Sequence, residues 1–439
     1  MKPTASLYAD LEFRGLVKQV TAPELAYHLG QKCLTLYAGF DPTADSLHVG
    51  SLLPLLTLRR FQLAGHQIIG VVGGATGMIG DPSGKSQERS LQNAEQLSKN
   101  QVGITRVIEK FLELRGDNPA RITNNHDWFK DFSYLEFLRD VGKHFTVNHM
   151  MAKESVRARL EDRDHGISYT EFSYMLLQAY DFYHLYKTYG CTLQIGGSDQ
   201  WGNITAGTEL IRRMNAHDLG NTPNTESPEV FGLTHPLVSK ADGTKFGKSE
   251  TGTVWLSRDR TSPYQFYQFF IQTADADVGA FLRYFTFLSH EEILDLEATL
   301  TTAPEKRAAQ IRLAREVTKL VHGEAELDKA ERATQALFST EIRNLDVTTL
   351  KEVFAGAPQT TKAKTTITGA PLALLDLLVD SGLCASRGAA KKEILGGGIY
   401  LNNERMTDAA RVIEITDLIA DSGLVLRKGK KNYHLISFT

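Results

Sequence analysis

The chain alternates short apolar runs with stretches of helical periodicity. CLTLYAGF (33–40) is apolar and stops at Gly-Phe-Asp-Pro, which predicts a buried strand followed by a turn. LLPLLTLRRFQLAG (52–65) is apolar at helical spacing and ends in Gly65, a natural helix terminator. QIIGVVGG (67–74) predicts a second strand, so the order reads as a βαβ unit with parallel strands. CTLQIGG (191–197) predicts another strand, feeding a helix that opens at SDQWGN. Parallel strands separated by helices imply an α/β fold with a doubly wound sheet. Ligands of such sheets bind beyond the carboxyl ends of the strands. Three polar or glycine-rich clusters stand at those ends: Gly-Phe-Asp-Pro, Gly-Gly-Ala-Thr-Gly and Gly-Gly-Ser-Asp-Gln.

From about 262 to 340 the pattern is helical and amphipathic, and it then fades into GAPQTTKAKTTITGAP. The expected organisation is a parallel-sheet domain over 1–250, with an insertion near 100–165, and a helical domain over 251–345. A linker over 346–370 and a small module over 371–439 complete it. A length of 439 residues suits two or three such domains.

Composition narrows the classes. The net charge of −3 excludes a uniformly basic surface but not a local one. The three cysteines, Cys33, Cys191 and Cys384, show no C-x-x-C spacing, which argues against a disulfide framework or a cysteine zinc site. No apolar run is long enough to span a membrane, and MKPTASLYADLEFRG lacks the apolar core of a secretory signal. The expected location is the cytoplasm.

Two stretches carry phosphate chemistry. In SLHVGS (46–51) a histidine stands at the mouth of a helix, where unpaired N–H groups attract phosphate. Gly50 there would let a base or ribose approach the backbone. In SKADGTKFGKS (239–249) Lys245 and Lys248 flank Gly247 in a polar loop that can bring two ammonium groups to a polyphosphate. Alone, each reads most simply as a solvated surface feature.

Together, in this order on an α/β chain, they resemble the two signatures of class I aminoacyl-tRNA synthetases. His48-Val49-Gly50 matches three places of the first, and Lys245, Lys248 and Ser249 match the second. YAGFDPTADSLHVG, GGATGMIGDPSGK, YMLLQAYDF and LQIGGSDQWGN are similar, in order, to bacterial-type tyrosyl-tRNA synthetases, and the resemblance covers nearly the whole chain. It implies a Rossmann-like catalytic domain, a helical anticodon-recognition domain and an S4-like RNA-binding module. It further implies L-tyrosine and ATP as substrates with Mg²⁺ accompanying ATP, tRNA(Tyr) as partner, a homodimer and no membrane association. No dedicated metal site is expected.

Helical spacing places Tyr174, Gln178 and Asp181 on one face, an odd set for core packing but apt for a polar ligand. By resemblance, Tyr174, Gln178 and Asp81 hold the tyrosine ammonium, Tyr37 and Asp181 the phenol oxygen, and Gln200 the carboxylate region. Gly39, Asp41, His48, Gly50, Gly197, Asp199, Lys245, Lys248 and Ser249 form the ATP site. His48, Lys245, Lys248 and Thr43 are expected to be catalytic, with Lys85 and Arg89 adding positive charge. Ser51 departs from the family, which usually has a second histidine there. In the C-terminal module Arg387, Lys391 and Lys392 share a short helix after Ser386 and are the expected RNA contacts, with a second basic group at Arg427, Lys428, Lys430 and Lys431. The segment near 130–165 is the expected dimer interface. A nucleotidylyltransferase would leave the tyrosine-pocket residues unexplained, and a non-catalytic RNA-binding paralogue would leave Lys245, Lys248 and Asp181 without a physical need.

Overall fold

The computed structural model describes residues 7–83, 92–153, 156–157, 160, 166–218, 228–244, 246–249, 252–336, 339–369, 371–429 and 432–439. The chain divides into two compact units. Met1–Lys248, Thr253–Arg260 and Ala274–Ala309 form the first; Ser249–Gly252, Thr261–Thr273 and Gln310–Thr439 form the second.

The first unit is built on a six-stranded sheet of β1 (Gln19–Val20), β2 (Thr35–Phe40), β3 (Gln67–Val72), β4 (Arg121–Asn124), β5 (Cys191–Gly197) and β6 (Phe231–His235). The spatial order is β1-β6-β5-β2-β3-β4. β2 to β6 run parallel, and β1 closes one edge antiparallel. The strands expected at 33–40, 67–74 and 191–197 are β2, β3 and β5. Helix α1 (Leu52–Leu63) crosses from β2 to β3 and is buried on nearly all sides, which is why its apolar pattern is continuous rather than striped. Gly65, at φ +94°, turns the chain out of it, as expected.

Helices α2 (Tyr169–Tyr189) and α3 (Trp201–Asp218) cover one face of the sheet, where Tyr37, Ile69, Val71, Phe182, Leu185 and Ile211 share a core. The helix Ala94–Phe111 packs on the other face, where Gly70 meets Ile108, and α1 lies beside it. Helix α4 (Asp275–Phe285) belongs to this unit, although the sequence pattern groups it with the later helices.

The second unit carries a five-stranded sheet of β7 (Gln359–Lys362), β8 (Ile399–Leu401), β9 (Glu404–Met406), β10 (Gly423–Lys428) and β11 (Asn432–Phe438), in the order β9-β8-β10-β11-β7. Only the β11–β7 pair is parallel. Asn402 and Asn403, both at positive φ, make the tight β8–β9 turn.

Residues 346–370 are not an unstructured linker in their described part. They form a helix, Val347–Val353, the strand β7 and a helical turn, Thr365–Thr368. β7 is an edge strand of Gln, Thr and Lys, so it leaves no apolar signal. Leu350 and Phe354 enter one core with Tyr264, Ala333, Ala336, Ile419, Val425 and Leu435. The expected boundary at 250 falls beside the Lys248–Ser249 division of the two units, whereas those at 345 and 370 fall inside the second unit.

Candidate active site

The carboxyl ends of β2, β3, β5 and β6 open into a cleft of about 300 Å³. Tyr37, Gly39, Asp41, Thr43, His48, Gly50, Asp81, Tyr174, Gln178, Asp181, Gly197, Asp199 and Gln200 all line it. Every expected tyrosine-site residue is thus brought to one place. Lys245, Lys85 and Arg89 lie outside the described residues, and only the backbone of Lys248 and Ser249 is described.

After β2 the chain passes Asp41, whose carboxylate accepts hydrogen bonds from Thr76 Oγ1 (2.7 Å) and Tyr174 Oη (2.9 Å). It then reaches His48, which precedes a 3₁₀ turn, Val49–Ser51, that opens α1. The Gly50 N–H donates to His48 Nδ1 at 3.0 Å. An amide can only donate here, so Nδ1 carries the lone pair and neutral His48 presents Nε2–H as a donor. A Cβ on Gly50 would lie 2.7–2.8 Å from the imidazole. The place of a side chain at Gly50 is therefore taken by the His48 ring, while Gly50 itself still lines the cleft.

The two signatures are bonded together. Val49 N–H donates to Val254 O and Leu256 N–H to Leu47 O, both at 2.9 Å, while Val254 N–H donates to Gly247 O at 2.9 Å. Gly247 sits at φ +83°, and a Cβ there would press on Val49 Cγ1 at 2.9 Å. Phe246 stacks on Phe285 of α4 at 5.3 Å between ring centroids. The lysine loop thus has an apolar anchor between its two charges.

Ser168 caps α2, accepting from Glu171 N–H, and the helix presents Tyr174, Gln178 and Asp181 to the cleft as their spacing predicts. Asp181 is 4 % exposed. Its two carboxylate oxygens accept separately, Oδ2 from Asn125 Nδ2 (3.1 Å) and Oδ1 from Trp128 Nε1 (2.8 Å). Burial pushes this carboxyl up to about 8 against the pull of those donors. Tyr37 is 1 % exposed, and its hydroxyl has no hydrogen-bond partner among the described residues. Burial, reinforced by the nearby Asp181, holds that phenol well above its ordinary pKa, so it stays protonated. Tyr37 and Asp181 are thus close enough to influence each other but are not bonded.

A second network lies beside this pair. Gln200 Nε2 donates to Asp81 Oδ2 (2.6 Å), Gln178 Nε2 donates to Gln200 Oε1 (3.2 Å), and Asn203 Nδ2 donates to Gln178 Oε1 (3.1 Å). Ser83 N–H holds the other Asp81 oxygen at 2.8 Å. Burial and then the Asp81 charge raise the Asp199 carboxyl.

The family described as tRNA synthetases class I (W and Y) matches residues 30–339, and a tyrosine–tRNA ligase SYY-like C-terminal domain matches residues 349–436. The chain belongs to the class I tRNA synthetases of the W and Y group. It is 52% identical over 434 residues to a tyrosine–tRNA ligase of Bacillus caldotenax, covering 98% of this chain and 99% of the relative. It is 51% identical to tyrosine–tRNA ligase 1 of Bacillus subtilis strain 168, covering 99% of each. Among solved structures, a C-terminally truncated mitochondrial tyrosyl-tRNA synthetase of Aspergillus nidulans is 32% identical with a TM-score of 0.68, covering 76% of this chain and 94% of that one.

Sequence reasoning missed several residues of this synthetase cleft: Thr76, Asn125, Gln194 and His235 line it, and Trp128 and Asn203 bond to residues that do. The stretch NNHDWF (124–129) was the available signal, a polar and aromatic cluster after a strand, but β4 itself is short and mixed in character. In the second unit helix α5 (Leu374–Asp380) precedes helix α6 (Arg387–Leu395), which carries exposed Lys391 and Lys392. Ser386 caps α6 as expected. Arg387 is engaged by both oxygens of Asp376 at 2.6 and 2.7 Å. Lys430 and Lys431 lie outside the described residues.

Proposed function

We propose that this chain activates L-tyrosine with ATP and transfers it to the 3′ end of tRNA(Tyr). The observation that carries the reading is the buried, unpartnered Tyr37 hydroxyl beside a carboxylate already fixed by Asn125 and Trp128. A substrate phenol between them donates its O–H to Asp181 and accepts from Tyr37. Phenylalanine or tryptophan offers neither contact and leaves both buried groups unsatisfied.

Tyr174, Gln178 and Asp81 take the ammonium, and Gln200, bonded to Asp81, borders the carboxylate. The carboxylate oxygen attacks the α-phosphorus, forming the acyl-phosphate bond as the bond to pyrophosphate breaks. The nucleophile is already ionised at neutral pH, so no general base is required. Alignment and charge stabilisation are the protein's tasks. His48 Nε2–H, the exposed Thr43 hydroxyl, Lys245 and Lys248 stabilise the departing pyrophosphate. Gly39, Asp41, Gly50, Gly197, Asp199 and Ser249 border the nucleotide. Mg²⁺ enters with ATP as part of the substrate. In the second step a hydroxyl of the terminal ribose attacks the acyl carbon and AMP leaves.

The second unit supplies the RNA contacts, with Lys391 and Lys392 on α6 and Arg387 once it exchanges Asp376 for phosphate. The helices over 262–340 serve the anticodon end. A homodimer is supported by the exposed apolar side chains of Tyr134, Leu135, Val147, Met151 and Tyr169, within and beside the segment expected at the interface. Among the described residues no helix is long and apolar enough to cross a membrane, and the cytoplasm is the proposed location. The deciding experiment is pyrophosphate exchange into ATP with tyrosine, phenylalanine and tryptophan offered separately. Exchange with tyrosine alone is expected; exchange with none of them would refute the reading.

A further inference from the structure

One side chain in the cleft has no part in the scheme above. His235 ends β6 and is 4 % exposed. Its Nδ1 lies 3.2 Å from Pro236 O. A carbonyl only accepts, so Nδ1 carries the proton and Nε2 the lone pair. That Nε2 is buried without a hydrogen-bond partner among the described residues, in a residue that lines the cleft.

The sheet fixes which side of the cleft His235 serves. A side chain on Gly232 would collide with Ile204 of α3, so position 232 faces α2 and α3. Side chains alternate along a strand, so His235, three residues on, faces the other side. Its parallel partner in register is Gly197. A Cβ on Gly197 would lie 2.5 Å from Asp199 Oδ1 and 3.1 Å from Leu237 Cδ2. His235 therefore stands at the Gly197–Asp199 end of the cleft, on the opposite face of the sheet from Tyr37.

We propose that His235 Nε2 accepts a hydrogen bond from an N–H or O–H of the adenosine half of ATP and thereby helps select the nucleotide. This rests on the activation reading above. An acceptor here suits three donors of that half: the two ribose hydroxyls and the 6-amino group of adenine. Burial keeps the imidazole neutral, with its pKa lowered to about 4, so the lone pair is present throughout the working pH range.

The test is pyrophosphate exchange by the full chain and its His235→Leu and His235→Gln variants. Loss of one such bond is expected to raise KM for ATP roughly 5- to 15-fold in His235→Leu, with KM for tyrosine unchanged. His235→Gln, which keeps an acceptor, is expected to recover part of the loss. The wild-type to His235→Leu ratio is then measured with ATP analogues lacking the 2′-hydroxyl, the 3′-hydroxyl or the 6-amino group. Collapse of the ratio toward one with a single analogue identifies the donor and supports the proposal. An unchanged ATP KM, a ratio that persists with all three analogues, or a parallel rise in tyrosine KM would each overturn it. No tyrosine-dependent exchange in the wild-type protein would overturn the activation reading, and this inference with it.

Discussion

The imidazole of His48 occupies the volume that a side chain at Gly50 would need, while the Gly50 amide holds its Nδ1. One glycine thus sets both the position and the tautomer of His48. Gly50→Ala is expected to push the ring aside and lower exchange almost as far as His48→Ala, about 10²-fold or more for a missing transition-state donor. Ser51 makes no capping hydrogen bond with its side chain. Ser51→Ala is therefore expected to change exchange less than about 3-fold, within the range of a neutral surface substitution. Equal losses in Ser51→Ala and His48→Ala would show that the fourth signature position matters as much as the first.

Tyr37→Phe removes a hydroxyl that has no hydrogen-bond partner among the described residues. Stability should change little, while KM for tyrosine should rise about 10-fold as one hydrogen bond to substrate disappears. Sites built to bond a substrate hydroxyl reject the analogue lacking it by about 10⁴–10⁵, a range for which tyrosyl-tRNA synthetase is itself the reference case. Competition between tyrosine and phenylalanine in the variant measures how much of that selectivity Tyr37 carries. An unaltered selectivity would assign it to Asp181 alone.

Asp181 gives a pH signature. Its carboxyl is raised from 3.8 to about 8 in the folded chain, so the native state holds a proton that the unfolded state releases between those values. The unfolded state binds fewer protons in that window, and this group's contribution to stability falls as pH rises. Asp181→Asn imitates the protonated acid and lacks the penalty. The Tm of the wild-type protein is expected to drop relative to that of Asp181→Asn between pH 5 and pH 8, measured by calorimetry without tyrosine. A constant difference across that range would show that the carboxyl titrates normally.

Lys391 and Lys392 are exposed on a capped helix and carry charge without covering core. Changing either to Ala should leave tyrosine-dependent exchange intact and weaken tRNA binding. The slope of log affinity against log salt should become shallower by about one for each phosphate that is no longer neutralised. Binding isotherms at several salt concentrations test this; an unchanged slope would remove these lysines from the RNA surface.

The parts of this protein legible in its sequence are those whose residues answer to one local demand. β2, β3 and β5 are apolar because they are buried centrally, and glycines mark where they stop. The helix face of Tyr174, Gln178 and Asp181 shows because three polar groups share one period. β6 reads as Phe-Gly-Leu-Thr-His, and its Thr234 and His235 are buried only because neighbouring strands enclose them, which no local pattern reveals. Asn125 and Trp128 serve Asp181 from the carboxyl end of β4. Their function depends on a meeting of residues far apart in the chain. β7 is silent because an edge strand of threonines needs no apolar code.

The core that joins Tyr264 to Leu435 also bears on how the protein is made. Tyr264 leaves the ribosome long before the strand that covers it, so its helix must wait, partly uncovered, until that strand is synthesised. Every strand of the six-stranded sheet is by then already available. Contacts this distant in sequence close slowly. The catalytic unit can therefore be assembled while the other is still completing itself, and the interval between them is when the unfinished chain most needs protection from aggregation.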